Sequence, residues 1–570
     1  MDRSCLTRFV FVATLVAATA SCRTNVVVSQ PALDRELAAA LEGRRLDGVA
    51  AHTIRLRDGV LREATDLGRI DRPARADAAR RAIADAREAL ASVHRGRLDR
   101  DGEVDADLVA FLLDGAEDRL RLADLEEPRH AELARPAGAA EPLARPGPPT
   151  RADLALLESA DAFAIVGAPA PATAFEARAA ARRLAHAAEL LRRRGMEASV
   201  IFGGAADEAR KRSAASADAL EKEGKRLDES AKSLPGEGEG FAPAAGVERF
   251  RSILRFEHGL DETPEEIESY GLALLEETER ALEDLAAARF PGLTWREAIE
   301  KVRDDHATAE ELPREARAAA EAARDFCIER GIVTIPPAAR VGHVDLVGEE
   351  MAKSYPFAAY SFRLQTPEGE SGRYMVSAGA TWMDAATREE RLRGNCRAWT
   401  RVVAAHEMWP GHHLQFWVAD NECSVLRREA LTPMFVEGWG LYCEDTLLRH
   451  GWFGSPADHL AVLVMRAWRA CRVVLDPRLH TGKCTPEEAV DFLVARAATT
   501  RDSARAEVRR WMTAPGQPLC YAVGRREVLR LRAEEEARLG QRFDERAFHD
   551  RLLRCGPIPF RFVRQLFAGD

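Results

Sequence analysis

AHEMWPGHHLQFW, residues Ala405 to Trp417, packs three of the chain's 14 histidines and a glutamate into eight positions, His406 to His413. Two imidazoles with a carboxylate beside them suit a catalytic zinc site, which needs nitrogen ligands and a base for metal-bound water. The usual spacing is H-E-x-x-H, one helical turn apart, so that both rings reach one ion. Here Pro410 stands where the second histidine should be. On an unbroken helix His412 would sit about 120° around from His406. His413 would return to the same face, but about 10 Å further along the axis, out of reach of a shared ion bound at about 2 Å. A regular helix therefore chelates through neither pair. Proline removes a helical hydrogen bond and glycine permits unusual backbone angles, so a bulge or kink at Pro410-Gly411 would bring one later histidine back beside His406.

The motif resembles that of the bacterial "domain of unknown function 885" family, H-E-x-x-P-G-H, whose members are regarded as candidate zinc metallopeptidases related to the glutamate-zincins. The likeness continues in FVEGWGLYCED (435–445), RACRVVLDPRLH (469–480), PGQPLCYAVG (515–524) and LGQRFDERAFHDRLLRCGPIP (539–559). It extends more weakly to FRSILRFEHGLDETPEEIESYG (250–271) and DADLVAFLLD (105–114). It implies His406 and His412 as metal ligands, because the family pattern keeps P-G-H while the next position varies; His413 is then a supporting or packing residue. Glu437 lies 25 residues after His412, room for one loop and a returning helix, and Gly438 and Gly440 would let that helix approach closely. The resemblance makes Glu437, the E of E-G-W, the third ligand of Zn2+. Glu444, two turns along the same face, is a candidate to hold a histidine's other nitrogen. Glu407 is the candidate general base. Tyr521 and His480 are the candidate donors to the oxyanion that attack on a carbonyl creates. Arg472 and Arg525 are weaker candidates to anchor a substrate carboxylate. Trp409, Trp417 and Trp439 read as core around the site.

The 570 residues carry 46% hydrophobic and 31% charged side chains, the composition of a soluble globular protein. A formal charge of −10 argues against a nucleic-acid partner. Residues 1–22, MDRSCLTRFVFVATLVAATASC, place Arg3 and Arg8 before an apolar run and read as a secretory leader. Ala20 and Ser21 before Cys22 resemble a lipoprotein cleavage box, which would make a lipid on Cys22 the only membrane attachment. The reading is therefore an exported protein, a lipoprotein of the periplasm or cell envelope, otherwise a secreted one. The eight cysteines beyond the leader permit disulfides, but show no C-x-x-C pairing.

Helical periodicity dominates residues 23–130, a Pro/Gly/Ala tract (134–150) reads as a loop, and the charge-rich run 208–234 reads as an exposed helix. Thr263, Pro264 and Glu266 form the N-cap, N1 and capping-box signals of a further helix. Residues 331–347 and 360–382 look β-rich, with a hairpin at PEGESG, and helices return from Ala385. The expected fold is mainly α, a large helical zincin-like metallopeptidase with a small β element before the active-site helix. It divides into a leader (1–22), an N-terminal helical region (23–240) and a catalytic region (241–570). The expected function is hydrolysis of peptides or oligopeptides through a metal-bound water. The alternatives are a non-catalytic peptide-binding lipoprotein and a zinc amidase or esterase.

Overall fold

The computed structural model describes residues 46–57, 72–130, 207–231, 244–348, 358–366 and 369–568, with scattered positions between 181 and 196. The leader with Cys22, the 134–150 tract and the Gly-rich stretch at 236–240 lie outside the described residues.

The fold is mainly α, as the periodicity predicts. The chain forms two compact units, one of residues 28–98 and 106–244, the other of Ala245–Asp570 with Asp99–Asp105. The first holds α1 (Leu46–Arg55), α2 (Arg72–Ala91), most of α3 (Arg100–His130) and α4 (Asp207–Ala231). In α4 the charged face is exposed and laced by Lys225–Glu221 and Arg226–Glu223 pairs, while Ala217, Leu220 and Leu227 make a buried stripe.

The second unit continues with α5 (Val247–Phe256), α6 (Pro264–Arg289), α7 (Trp295–Arg303) and α8 (Leu312–Arg330). Then come β1 (His343–Leu346), β2 (Ala358–Thr366) and β3 (Gly369–Val376). The remaining helices are α9 (Ala385–Gly394), α10 (Arg397–Glu407), α11 (His412–Glu422), α12 (Val425–Glu429), α13 (Pro433–Arg449), α14 (Pro456–His480), α15 (Pro486–Ala497), α16 (Arg501–Met512), α17 (Cys520–Leu539), α18 (Glu545–Arg554) and α19 (Phe560–Phe567). Helix α6 opens on the expected capping box: the Thr263 side chain accepts from the Glu266 backbone and the Glu266 carboxylate accepts from the Thr263 backbone.

The sheet has the order β1-β3-β2, with β1 parallel and β2 antiparallel to β3. The expected hairpin is present, Thr366 pairing with Gly369. The β-rich reading of 331–347 is corrected: only His343–Leu346 becomes a strand. Ile332, Val333 and Ile335 are buried, but as an irregular segment running into Pro336 and Pro337, which lack the N–H a ladder needs. No disulfide forms among the described residues; all eight cysteines are free thiols, mostly buried. No helix among the described residues is long and apolar enough to cross a membrane.

The core is a stack of long helices: α14 lies along α6, α13 along α17, and α10 between α8 and α14. The α6–α14 contact depends on Gly271, where a Cβ would lie 2.9 Å from both the Val474 backbone nitrogen and its Cγ2. Alanine in a helix interior is ordinarily favoured over glycine by about 1 kcal/mol. Here overpacking wins, because the obstacle is backbone. Gly271→Ala should lower stability by about 1–3 kcal/mol in urea denaturation; a stabilised variant would show that α6 and α14 slide apart freely.

His549 joins three elements: its Nε2 meets the Tyr442 hydroxyl at 2.8 Å and its Nδ1 the Ile332 carbonyl at 2.8 Å. Burial holds it neutral, with its pKa pushed down to about 4 from 6.5. A depressed histidine pKa means that the unfolded chain binds the extra proton first, so its contribution is intact above pH 6.5 and declines towards pH 4. From this residue alone stability should fall by up to about 3 kcal/mol over that window. In denaturation at pH 7 and pH 4.5, His549→Gln should flatten the loss; an unchanged pH profile would assign it to other groups.

Candidate metal centre

The break between α10 and α11 answers the spacing problem. Helix α10 ends at Glu407, a cis Trp409–Pro410 bond follows, and α11 starts at His412. Across the break the Gly411 N–H reaches the Ala405 carbonyl at 3.1 Å and the Leu414 N–H the Met408 carbonyl at 3.4 Å, each six residues back instead of four. Two residues are thereby looped out, and six positions act as the i, i+4 spacing of an ordinary helix. The His406 and His412 rings lie 4.7 Å apart, nearly perpendicular. Only glycine fits at 411: a Cβ there would lie 1.8 Å from the His406 carbonyl oxygen.

The third group arrives on α13, which Pro433 opens at its first position and Thr432 caps. Gly440 lies flat against His406; a Cβ would come within 2.6 Å of the ring. Gly438 meets Gly524 of α17, where a Cβ would lie 2.5 Å from backbone. Both close approaches bring Glu437 to the histidines: its Oε2 is 3.5 Å from His406 Nε2 and 3.3 Å from His412 Nε2. Tetrahedral coordination at 2.0–2.1 Å spaces ligand atoms about 3.3 Å apart. The ligand atoms of His406, His412 and Glu437 all lie within 4.8 Å of one another, and Glu437 Oε2 is buried without a hydrogen bond. An orphaned carboxylate oxygen between two imidazole nitrogens fits a cation, and the two-histidine, one-carboxylate donor set suits zinc.

The surrounding hydrogen bonds aim these nitrogens inwards. His406 Nδ1 donates to Glu444 at 2.9 Å, and Arg469 holds the same carboxylate oxygen at 3.1 Å. His412 Nδ1 faces Gln415 Oε1 at 3.3 Å. Both Nε2 lone pairs are thereby assigned to the trio. Gln517 donates to the other Glu437 oxygen at 3.3 Å. Burial opposes charge on His406, but Glu437 and Glu444 outweigh it and raise its pKa to about 9. Burial likewise opposes the Glu437 anion, yet the two histidines hold its carboxyl far below the usual range. The cluster demands a positive charge at its centre.

Glu407 is half-buried beside the trio and engages in no hydrogen bond or ion pair among the described residues. Burial raises its pKa, and the fields of His406 and His412 pull it back. Tyr521 is brought in by α17, its ring stacked on His406 at 6.0 Å, with the Arg472 guanidinium 4.6 Å over it. Burial pushes the Tyr521 hydroxyl pKa up, so it keeps its proton. His480 is a correction. Its Nε2 donates to the Trp511 carbonyl at 3.2 Å and its Nδ1 accepts from the Ala245 N–H at 3.2 Å, so neither nitrogen is left to meet an oxyanion. With Asp476, which accepts from the Gly516 N–H, it fastens the loop leading to Tyr521. Arg525 is also committed elsewhere, to Asp445. His413 bonds Tyr360 of β2 through Nδ1 at 2.8 Å and serves packing. Trp409 and Trp439 are buried, tied to the Ala339 and Pro410 carbonyls; Trp417 is half-buried. Gln415, Gln517 and Arg469 were not singled out from the sequence, although all three fall within the quoted motifs.

Residues 56–566 match the family described as "Bacterial protein of unknown function (DUF885)", and the chain belongs to that family. No curated protein matches it. Among solved structures it is similar to a candidate lipoprotein of unknown function from Shewanella oneidensis, with a TM-score of 0.66 and 19% identity over 94% of this chain and 99% of that one. A candidate lipoprotein from Colwellia psychrerythraea gives 0.60 and 17% over the same shares. At these identities the likeness establishes a shared fold.

Gly440→Ala should push the His406 ring out of place and weaken zinc binding at least about tenfold. Zinc at a hundred times its dissociation constant should stabilise the parent by about 2.7 kcal/mol. The variant should gain measurably less in thermal unfolding with and without a chelator. An equal gain would mean that the trio does not hold the metal.

Proposed function

We propose that the protein is a zinc-dependent metallopeptidase of the cell envelope. The observation that carries this reading is the convergence of His406, His412 and Glu437 beside an unpaired, half-buried Glu407. Bound by the trio, Zn2+ would supply Lewis acidity, lowering the pKa of a water towards 7 and polarising a carbonyl oxygen. Glu407 takes the proton of the attacking water and passes it to the departing amine; its burial-raised pKa brings it closer to that task. Tyr521, kept protonated by its burial, donates a hydrogen bond to the developing oxyanion. Glu444 and Gln415 keep the two imidazoles in the tautomer that faces inwards.

The sheet supports a peptide as substrate. Strand β2 has β3 on one side and no strand on the other among the described residues, and Tyr360 ties it to α11 through His413. Such an edge accepts an extended chain by backbone hydrogen bonds. The envelope location rests on the leader with Cys22 and on two structural neighbours being candidate lipoproteins.

The test is hydrolysis of a mixed peptide library by zinc-loaded protein, followed by mass spectrometry. Glu407→Gln should retain zinc and lose at least about 100-fold in rate. Undiminished cleavage by that variant would remove Glu407 from the chemistry. No cleavage by zinc-loaded parent protein would favour the binding-protein or amidase alternatives.

A further inference from the structure

Beside the trio stands a group of cations that the hydrolytic chemistry leaves unused. Arg469 and Arg472 lie three residues apart on α14, both buried. Each spends one nitrogen on a carboxylate: Arg469 on Glu444 at 3.1 Å, Arg472 on Glu507 of α16 at 2.8 Å. Their remaining buried donors, Nε and Nη1 of Arg469 and Nε of Arg472, meet no acceptor. Buried guanidinium donors without an acceptor are costly and call for an anion.

Glu444 and Glu507 each take up one nitrogen of these two guanidinium groups, and Glu507 is shared with Arg510. Tyr521 links the arginines to the trio, with His406 on one side of its ring and Arg472 4.6 Å from its centre. The guanidinium donors left without an acceptor therefore lie beside the aromatic ring that stacks on His406.

We infer that these arginines recognise a carboxylate on the substrate, so that the site selects peptides with an anionic end beside the cleaved bond. The inference rests on the peptidase reading for the word "cleaved", but anion recognition itself is a property of binding. In a peptide the carboxylate comes from the free C-terminus or from an acidic side chain, and guanidinium meets either through paired hydrogen bonds.

Binding to zinc-loaded Glu407→Gln protein, by calorimetry, separates these points from catalysis. The probes are three acetylated alanine tetrapeptides: one with a free C-terminus, one amidated, and one amidated with glutamate as its last residue. The free acid should bind at least about tenfold more tightly than the plain amide, the scale of one charged hydrogen bond. Arg472→Gln should shrink that advantage. A gain by the glutamate amide alone would support the carboxylate and assign it to a side chain. Equal binding of the acid and both amides, or binding of none, would overturn the inference. The comparison among peptides needs no arginine variant, so a variant that fails to fold leaves the test standing. Hydrolysis by the parent protein reports separately on the peptidase reading.

Discussion

Between His406 and His412 stand two residues more than a helical turn accommodates, and the site depends on how the backbone disposes of them. The chain keeps its hydrogen-bonded continuity by letting the Gly411 and Leu414 N–H groups reach back six positions. That solution admits only glycine at 411, because the His406 carbonyl occupies the space a Cβ would need. It also fixes where α13 must run, since the Trp439 indole donates to the Pro410 carbonyl inside the break. A local irregularity in one helix thereby sets the position of the helix that brings the carboxylate.

The close packing around the trio follows from electrostatics as much as from shape. Two imidazoles and a carboxylate with their lone pairs converging would repel one another or capture a proton. The raised pKa of His406 and the depressed one of Glu437 are two expressions of that demand for positive charge. A divalent ion meets it better than a proton, because it satisfies three donors at once. Glu444 and Arg469 stiffen the arrangement: a carboxylate held by a buried guanidinium cannot turn away from His406 Nδ1. In such a low-dielectric setting each fixed dipole matters more than it would in water.

Much of this was legible in the sequence because its causes are local. Helical periodicity, the Thr263 capping box and the hairpin at 366–369 depend on neighbours within a few residues. The clustering of His406, His412 and Glu437 was legible because all three fall within motifs shared with the family. What escaped depends on partners distant in the chain. Gln517 meets Glu437 eighty positions away, and Arg469 meets Glu444 across a helical turn-around; neither pairing leaves a periodic trace. His480 failed for a related reason. A histidine in a motif can serve chemistry or packing, and only its two backbone partners decide between them. The apolar run at 332–335 suggested a strand because burial alone does not distinguish a strand from a buried irregular segment.

His480 and Asp476 also show how residues outside the His406–His412–Glu437 trio shape its surroundings. One turn apart on α14, they fasten the Trp511 carbonyl, the Ala245 N–H and the Gly516 N–H. The loop they hold presents Gln517 to Glu437 and leads into α17, whose Gly524 must meet Gly438 for Tyr521 to stack on His406. The same α14 carries Arg469 to Glu444 and places Arg472 over the Tyr521 ring. A single helix therefore holds the carboxylate that meets His406, anchors the loop beside the trio and places two buried guanidinium groups. A shift of α14 would disturb all three together, which is why the Gly271 contact against Val474, remote from the chemistry, bears on the geometry of the centre.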